Sequence, residues 1–223
     1  SIEYLYGGGF EGVVCGDTYV HLGNGRVYDA IGGACNADIL GHAEVYIGKN
    51  ADGTLGFPYI RDGVYGGNDF GGTIKRTGVH DVHESVTTST YDELYKTELL
   101  TSNTYVEYLQ GRVDSIFGGN YCYYEYADEH YKKYTVPSTG EPKEGFSKPF
   151  ITNSFVYFNP VKNVDNYVGI VLGGSQGSPN EVTNNNSMQE KSYILVDDKS
   201  CSENFKTTDV FGAGAYGGLG TKD

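Results

Sequence analysis

The chain has no tryptophan and one methionine in 223 residues, and its 16 lysines and arginines face 29 aspartates and glutamates. A formal charge of −13 argues against a nucleic-acid partner, whose phosphates are held mainly by clustered Lys and Arg. No apolar run approaches the roughly 18 residues of a membrane span, and no basic amphipathic stretch suits a membrane surface, so direct membrane insertion is not expected. The four cysteines, Cys15, Cys35, Cys122 and Cys201, form no C-x-x-C pair and no zinc spacing. Three full disulfide pairings and a set of buried thiols both stay open. No signal peptide is visible at Ser1, so the chain is read as mature or as excised from a longer one.

Common catalytic signatures are missing too. There is no G-x-x-x-x-G-K-[ST], no G-x-S-x-G and no H-E-x-x-H. Gly7-Gly8-Gly9 followed by Gly12 superficially suggests a phosphate loop, but the next residues read as a strand instead of a helix.

What the sequence does hold is glycine and tyrosine: 33 Gly, 21 Tyr and 10 Phe. The glycines recur after apolar pairs. Leu5-Tyr6-Gly7-Gly8, Ala30-Ile31-Gly32-Gly33, Val64-Tyr65-Gly66-Gly67, Ile116-Phe117-Gly118-Gly119 and Val171-Leu172-Gly173-Gly174 share the pattern, and Val210-Phe211-Gly212-Ala213-Gly214 is a variant. Steps between first glycines are 25, 34, 52, 55 and 39 residues, the shortest being the length of one solenoid repeat. Inside each interval lies a short run of β-formers. Thr18–Leu22 matches Ala43–Ile47, and Thr104–Tyr108, Ser154–Phe158 and Ser192–Val196 resemble both. Thr18 to Gly33 aligns without a gap on Thr104 to Gly119, including Gly25-Arg26-Val27 on Gly111-Arg112-Val113. A third mark is acidic: Asp29, Asp62, Asp114, Asp165 and Asp209 each lie one to six residues before an apolar pair.

Strands this short bury no core alone, but stacked rung upon rung they pair in parallel and form continuous inward ladders. The expected fold is all-β: a right-handed parallel β-helix (β-solenoid) with long inserted loops, as one domain over 1–223 or a fragment of a longer array. The paired glycines are assigned to corners, through positive φ or close backbone approach. Asp29, Asp62 and Asp114 are assigned to turns, accepting backbone N–H groups. Insertions fall at about 70–100, 121–149 and 175–186, the first with about two helical turns capped by Thr90. The competing fold is antiparallel β structure with hairpins at the glycines. Pairing between the Thr18 and Ala43 segments separates the two.

The stretch from Tyr6 to Leu22, with Val27-Tyr28-Asp29-Ala30-Ile31-Gly32-Gly33, resembles glycine-punctuated repeats of large secreted or cell-surface proteins of Bacteroidetes-type gut bacteria. It is similar in architecture to adhesin-like β-helix proteins, and the likeness covers roughly the first 70 residues. The resemblance implies a secreted or cell-surface location and adhesion, and it carries over no catalytic residue.

Partner contact is assigned to the tyrosine-rich insertion, Tyr121, Tyr123, Tyr124, Tyr126, Tyr131 and Tyr134. Tyrosine offers a rigid apolar face and a hydroxyl to a glycan or a protein surface. Packing of these rings onto the solenoid is the structural alternative. His80, His83 and Glu84 are read as exposed side chains, not as metal ligands. Calcium is the one cofactor left open, through acidic turns such as Asp52-Gly53 and Asp197-Asp198. The expected function is a non-catalytic structural or adhesive module that binds a glycan or host protein, neighbouring solenoid domains or its own copies. The alternative is a polysaccharide lyase or glycoside hydrolase on the same scaffold, which would need convergent carboxylates in a groove.

Overall fold

A computed structural model describes residues 1–76, 101–122, 132–133, 136, 138, 143–145, 147–162, 164–177, 188–196, 206–215 and 218–219. The chain alternates between two sheets. One holds β1 (Ile2–Tyr6), β3 (Arg26–Ile31), β5 (Tyr59–Tyr65), β7 (Arg112–Phe117), β9 (Tyr167–Leu172) and β11 (Lys206–Phe211), in that order. The other holds β2 (Thr18–Leu22), β4 (Ala43–Ile47), β6 (Thr104–Tyr108), β8 (Phe150–Phe158), β10 (Met188–Val196) and β12 (Gly218–Leu219). Every neighbouring pair is parallel, and Thr18 pairs with Ala43 as equivalent residues of successive rungs. The fold is a parallel β-solenoid, and the hairpin alternative falls with that pairing.

The core lies between the sheets. Val45, Val106 and Val156 stack along the β2–β12 sheet, facing Ala30, Val64, Ile116 and Val171 from the β1–β11 sheet. Full burial of each large aliphatic side chain is worth about 1.5–3 kcal/mol, and the stacked rungs share it as one ladder. Between the glycine corner and the next β2–β12 strand, the chain forms a third wall. Val14, Ile39 and Ile74 pair there in isolated parallel bridges and pack with Ile151. Residues 70–76 follow this wall, with Asn36 bridged to Gly71, so the coil continues where the sequence places the start of an insertion.

The corners explain the paired glycines, by a reason narrower than expected. None of the ten has positive φ; that conformation occurs at Gly25 and Gly111, where the chain turns into β3 and β7. At the pairs, close stacking excludes a side chain. A Cβ on Gly32 would lie 2.6 Å from the Gly66 carbonyl oxygen, and one on Gly173 would lie 2.7 Å from that of Gly212. The backbone ladder runs through the corner, with Gly32 N–H donating to Tyr65 O at 2.7 Å and Gly66 N–H to Phe117 O at 3.0 Å. Hydroxyls brace it from the side: Thr18 Oγ1 donates to Gly32 O and Thr104 Oγ1 to Gly118 O, both at 2.7 Å. One residue further on, a side-chain ladder forms. Asn68 Oδ1 accepts the Ala34 N–H, Asn120 Oδ1 the Asn68 N–H, and Ser175 Oγ the Asn120 N–H. Gly33, Gly67 and Gly119, each the second glycine of its pair, leave room for these side chains.

The structure places Asp29, Asp62 and Asp114 inside β3, β5 and β7, not at corners. β5 carries one extra residue, with Ile60 to Gly63 lying opposite Val27 to Asp29 in β3 and Val113 to Ser115 in β7. Such irregularities rotate the residues beside them, so strict alternation is lost in this sheet.

Candidate ligand-binding face

The outer side of the β1–β11 sheet carries the candidate site. In β3, β5, β7 and β9 two residues three or four apart point inward, such as Val27 and Ala30, or Ile60 and Val64. The irregular step between them turns the acidic residues outward. Asp29, Asp62 and Asp114 consequently line one open cleft of about 360 Å³. Tyr4, Tyr65 and Tyr121 give it aromatic walls, and Ser115 and Gln176 complete it. Asp114 also lines an adjoining cleft of about 150 Å³ with Tyr59, Arg61, Arg112 and Tyr167. Carboxylates, guanidinium groups and phenol rings thus share one sheet face.

The walls are rigid. Tyr65 stacks on Phe117 with centroids 5.0 Å apart and meets Tyr121 at 4.4 Å, above a buried row of Ile31, Phe117 and Leu172. Burial, reinforced by the carboxylate of Asp29, holds the Tyr65 and Tyr121 hydroxyls above the usual phenol range, so both stay protonated donors. Nearby, Tyr6 donates to Asp69 Oδ2 at 2.7 Å. Ser115 Oγ donates to the Asp62 carbonyl at 2.7 Å, fixing the β5 irregularity to β7.

The three carboxyl groups differ in environment. Asp29 is buried, whereas Asp62 and Asp114 are exposed. Burial and then the charge of Asp62 push Asp29 up to about 7, against hydrogen bonds from the Gly63 N–H and Tyr65 hydroxyl. The cleft therefore sets one buried carboxyl, raised toward neutrality, beside two exposed ones. Arg61 Nε lies 3.7 Å from Asp62 Oδ1, but both side chains are more than half exposed and the pair is weak.

Of the six tyrosines assigned to partner contact, Tyr121 lines this cleft. Tyr123, Tyr124, Tyr126, Tyr131 and Tyr134 lie outside the described residues, as do His80, His83, Glu84, Asp197, Asp198, Cys201 and the segment after Thr90. Sequence reasoning missed Tyr4, Tyr65, Ser115 and Gln176. A signal was present for two of them, since Tyr4 pairs with Asp29 one rung away and Ser115 directly follows Asp114. Asp52 uses Oδ1 locally, accepting the Thr54 N–H at 3.0 Å and its hydroxyl at 2.6 Å. Among the described residues, no group of three or more His, Cys, Asp or Glu side chains is placed to hold a metal ion. Cys15 is an exposed thiol; Cys35 and Cys122 are buried thiols packed with Phe70.

A second polar cluster, also missed, lies on the opposite sheet. Glu44 and Tyr46 alternate with the inward Val45 and so face away from the core. His42 Nε2 is 2.6 Å from Glu44 Oε1, and His42 Nδ1 is 3.2 Å from Asp17 Oδ1. Tyr46 donates to Glu44 Oε2, and Arg76 donates to Asp17 Oδ1 at 2.6 Å. Burial alone would raise the Asp17 carboxyl, but Arg76 and the His42 N–H hold it below its ordinary value. Burial raises Glu107 next door, opposed by Lys49 at 3.6 Å. His42 and Glu44 are fully buried, which fits an internal network better than a ligand site.

Comparison with protein-family models, with curated proteins and with solved structures returned no match.

Proposed function

We propose that this solenoid is a secreted or surface-located adhesive scaffold that binds a glycan along the outer face of its β1–β11 sheet. The observation that carries this reading is the cleft joining Asp29, Asp62 and Asp114 to Tyr4, Tyr65 and Tyr121 on a rigid sheet. Carboxylates accept hydrogen bonds from sugar hydroxyls, buried phenols donate them, and the ring faces cover apolar sugar edges. The resemblance of the first repeats to bacterial surface proteins supports the location and the adhesive role.

Binding of neutral and acidic polysaccharides by calorimetry tests it, using the native chain beside Asp62→Asn and Tyr121→Ala. Loss of one charge-assisted hydrogen bond costs about 1.5–3 kcal/mol, so Asp62→Asn weakens binding by about ten- to a hundredfold. Absence of binding across the panel, or unchanged affinity in both variants, would sink the reading.

A second reading, polysaccharide cleavage, is favoured by one observation. Asp29, held up to about 7 beside Asp62, has the proton affinity of a general acid next to a carboxylate. Release of new reducing ends during the same incubations, abolished in Asp29→Asn, distinguishes cleavage from binding.

A further inference from the structure

Asp29 lines the cleft and is 5% exposed, yet its Oδ1 accepts no hydrogen bond among the described residues. The Gly63 N–H and the Tyr65 hydroxyl bond to this carboxyl and still leave that oxygen open. A second acceptor repeats the pattern. Gln176 Oε1, from the same lining, is buried and has no donor among the described residues. Buried acceptors without a donor are rare, because nothing offsets the water they gave up. Each calls for a donor from outside the fold.

Charge decides what kind of donor. Asp62 and Asp114 line the same cleft and are exposed. Among the described residues no cation pairs with Asp29 or Asp114, and Arg61 reaches Asp62 only at 3.7 Å while lying over the Tyr28 ring. Burial and then the Asp62 charge raise Asp29 to about 7, as expected of a carboxyl without a positive neighbour. The other titratable side chains of the lining are the phenols of Tyr4, Tyr65 and Tyr121, whose rings attract cations. A metal ion is a poor fit: among the described residues no three His, Cys, Asp or Glu side chains are grouped to hold one. A sugar hydroxyl satisfies Oδ1 and leaves the charge unanswered. An ammonium group does both, with several N–H donors and one positive charge.

We propose that the cleft selects glycans carrying free amino groups, with an ammonium donating to Asp29 Oδ1 beside Asp62 and against the Tyr65 and Tyr121 rings. The inference rests on the glycan reading above and names the chemical class of the sugar. The chain's formal charge of −13 draws such a ligand in at long range, most strongly at low salt. Once bound, the ammonium takes the place of the Asp29 proton, so this carboxyl titrates lower in the complex.

Calorimetry near pH 7 with glucosamine oligomers, beside N-acetylglucosamine oligomers of the same length, tests it. Acetylation removes the charge and keeps the ring. The free-amine oligomer is expected to bind about ten- to a hundredfold tighter, and Asp29→Asn to remove most of that margin. Asp62 is exposed, so Asp62→Asn serves as a second variant that leaves packing intact. In a carboxyl carbon-13 titration the Asp29 midpoint should fall from about 7 under saturating glucosamine oligomer and stay there under the acetylated one. Equal or tighter binding of the acetylated oligomer overturns the inference and leaves the glycan reading standing. Binding confined to glycans without amines does the same, whereas no binding of any glycan sinks both. A lysine peptide of equal charge that binds more tightly than the oligomer overturns the sugar as occupant.

Discussion

Replacing Gly32 by alanine isolates the force that shapes the corners. The new methyl carbon would stand 2.6 Å from the Gly66 oxygen and 2.8 Å from Val45 Cγ2. Both neighbours are held, one as backbone of the next rung and the other as core. Relief requires the rungs to separate by several tenths of an ångström. That movement stretches the Gly32 N–H bond to Tyr65 O, now 2.7 Å, and the Gly33 N–H bond to Gly67 O, now 2.9 Å. Overpacking of this kind costs about 1–3 kcal/mol, and a weakened buried backbone hydrogen bond adds about 1–3 kcal/mol. The lower entropy of the unfolded alanine chain returns about 0.4–1 kcal/mol. The expected net loss is about 3 kcal/mol, which lowers the melting temperature by about 6–12 °C for a chain of this size. Gly12→Ala is the control, because nothing lies within 4 Å of its Cβ site and its φ is not positive. Unfolding followed by tyrosine fluorescence and near-ultraviolet circular dichroism suits a chain with no tryptophan. If Gly32→Ala melts with Gly12→Ala, close stacking is not the reason for the paired glycines.

Two further predictions concern buried charge. Asp29 is raised in the folded chain to about 7, so its proton is bound more tightly folded than unfolded. The folded state then loses stability as pH rises from about 4 to about 7, by up to about 4 kcal/mol, and Asp29→Asn removes that slope. A carboxyl carbon-13 titration giving a midpoint below about 5 would contradict it. His42→Ala strips Glu44 of its ring partner inside a closed network and should destabilise the fold by about 2–4 kcal/mol, measured by urea unfolding. A loss under about 0.5 kcal/mol would mean that the pair carries no structural weight.

The repeat was legible because a solenoid writes its geometry into the chain at intervals. Apolar pairs before Gly-Gly mark the end of each β1–β11 strand, and the Thr18, Ala43 and Thr104 segments were correctly matched as partners one rung apart. Parallel stacking forces equivalent residues to touch, so likeness in sequence becomes contact in space. The candidate site was legible only in part. Asp29, Asp62 and Asp114 stood out by recurrence, but their role did not, because the cleft they share forms only when strands of separate rungs lie side by side. Asn68 and Asn120 escaped notice for a related reason. Each satisfies an N–H in the preceding rung, 34 and 52 residues away, and no local pattern reports that distance.

The sequence by itself determined the architecture: short strands, glycine corners and their order along the coil. Tertiary structure decided what the repeats do at each level. Of the two causes expected for the glycine pairs it selected close approach over positive φ, and it gathered three aspartates and three tyrosines from separate rungs into one cleft. Composition and spacing act along the chain, whereas burial and proton affinity depend on which rung lies beside which.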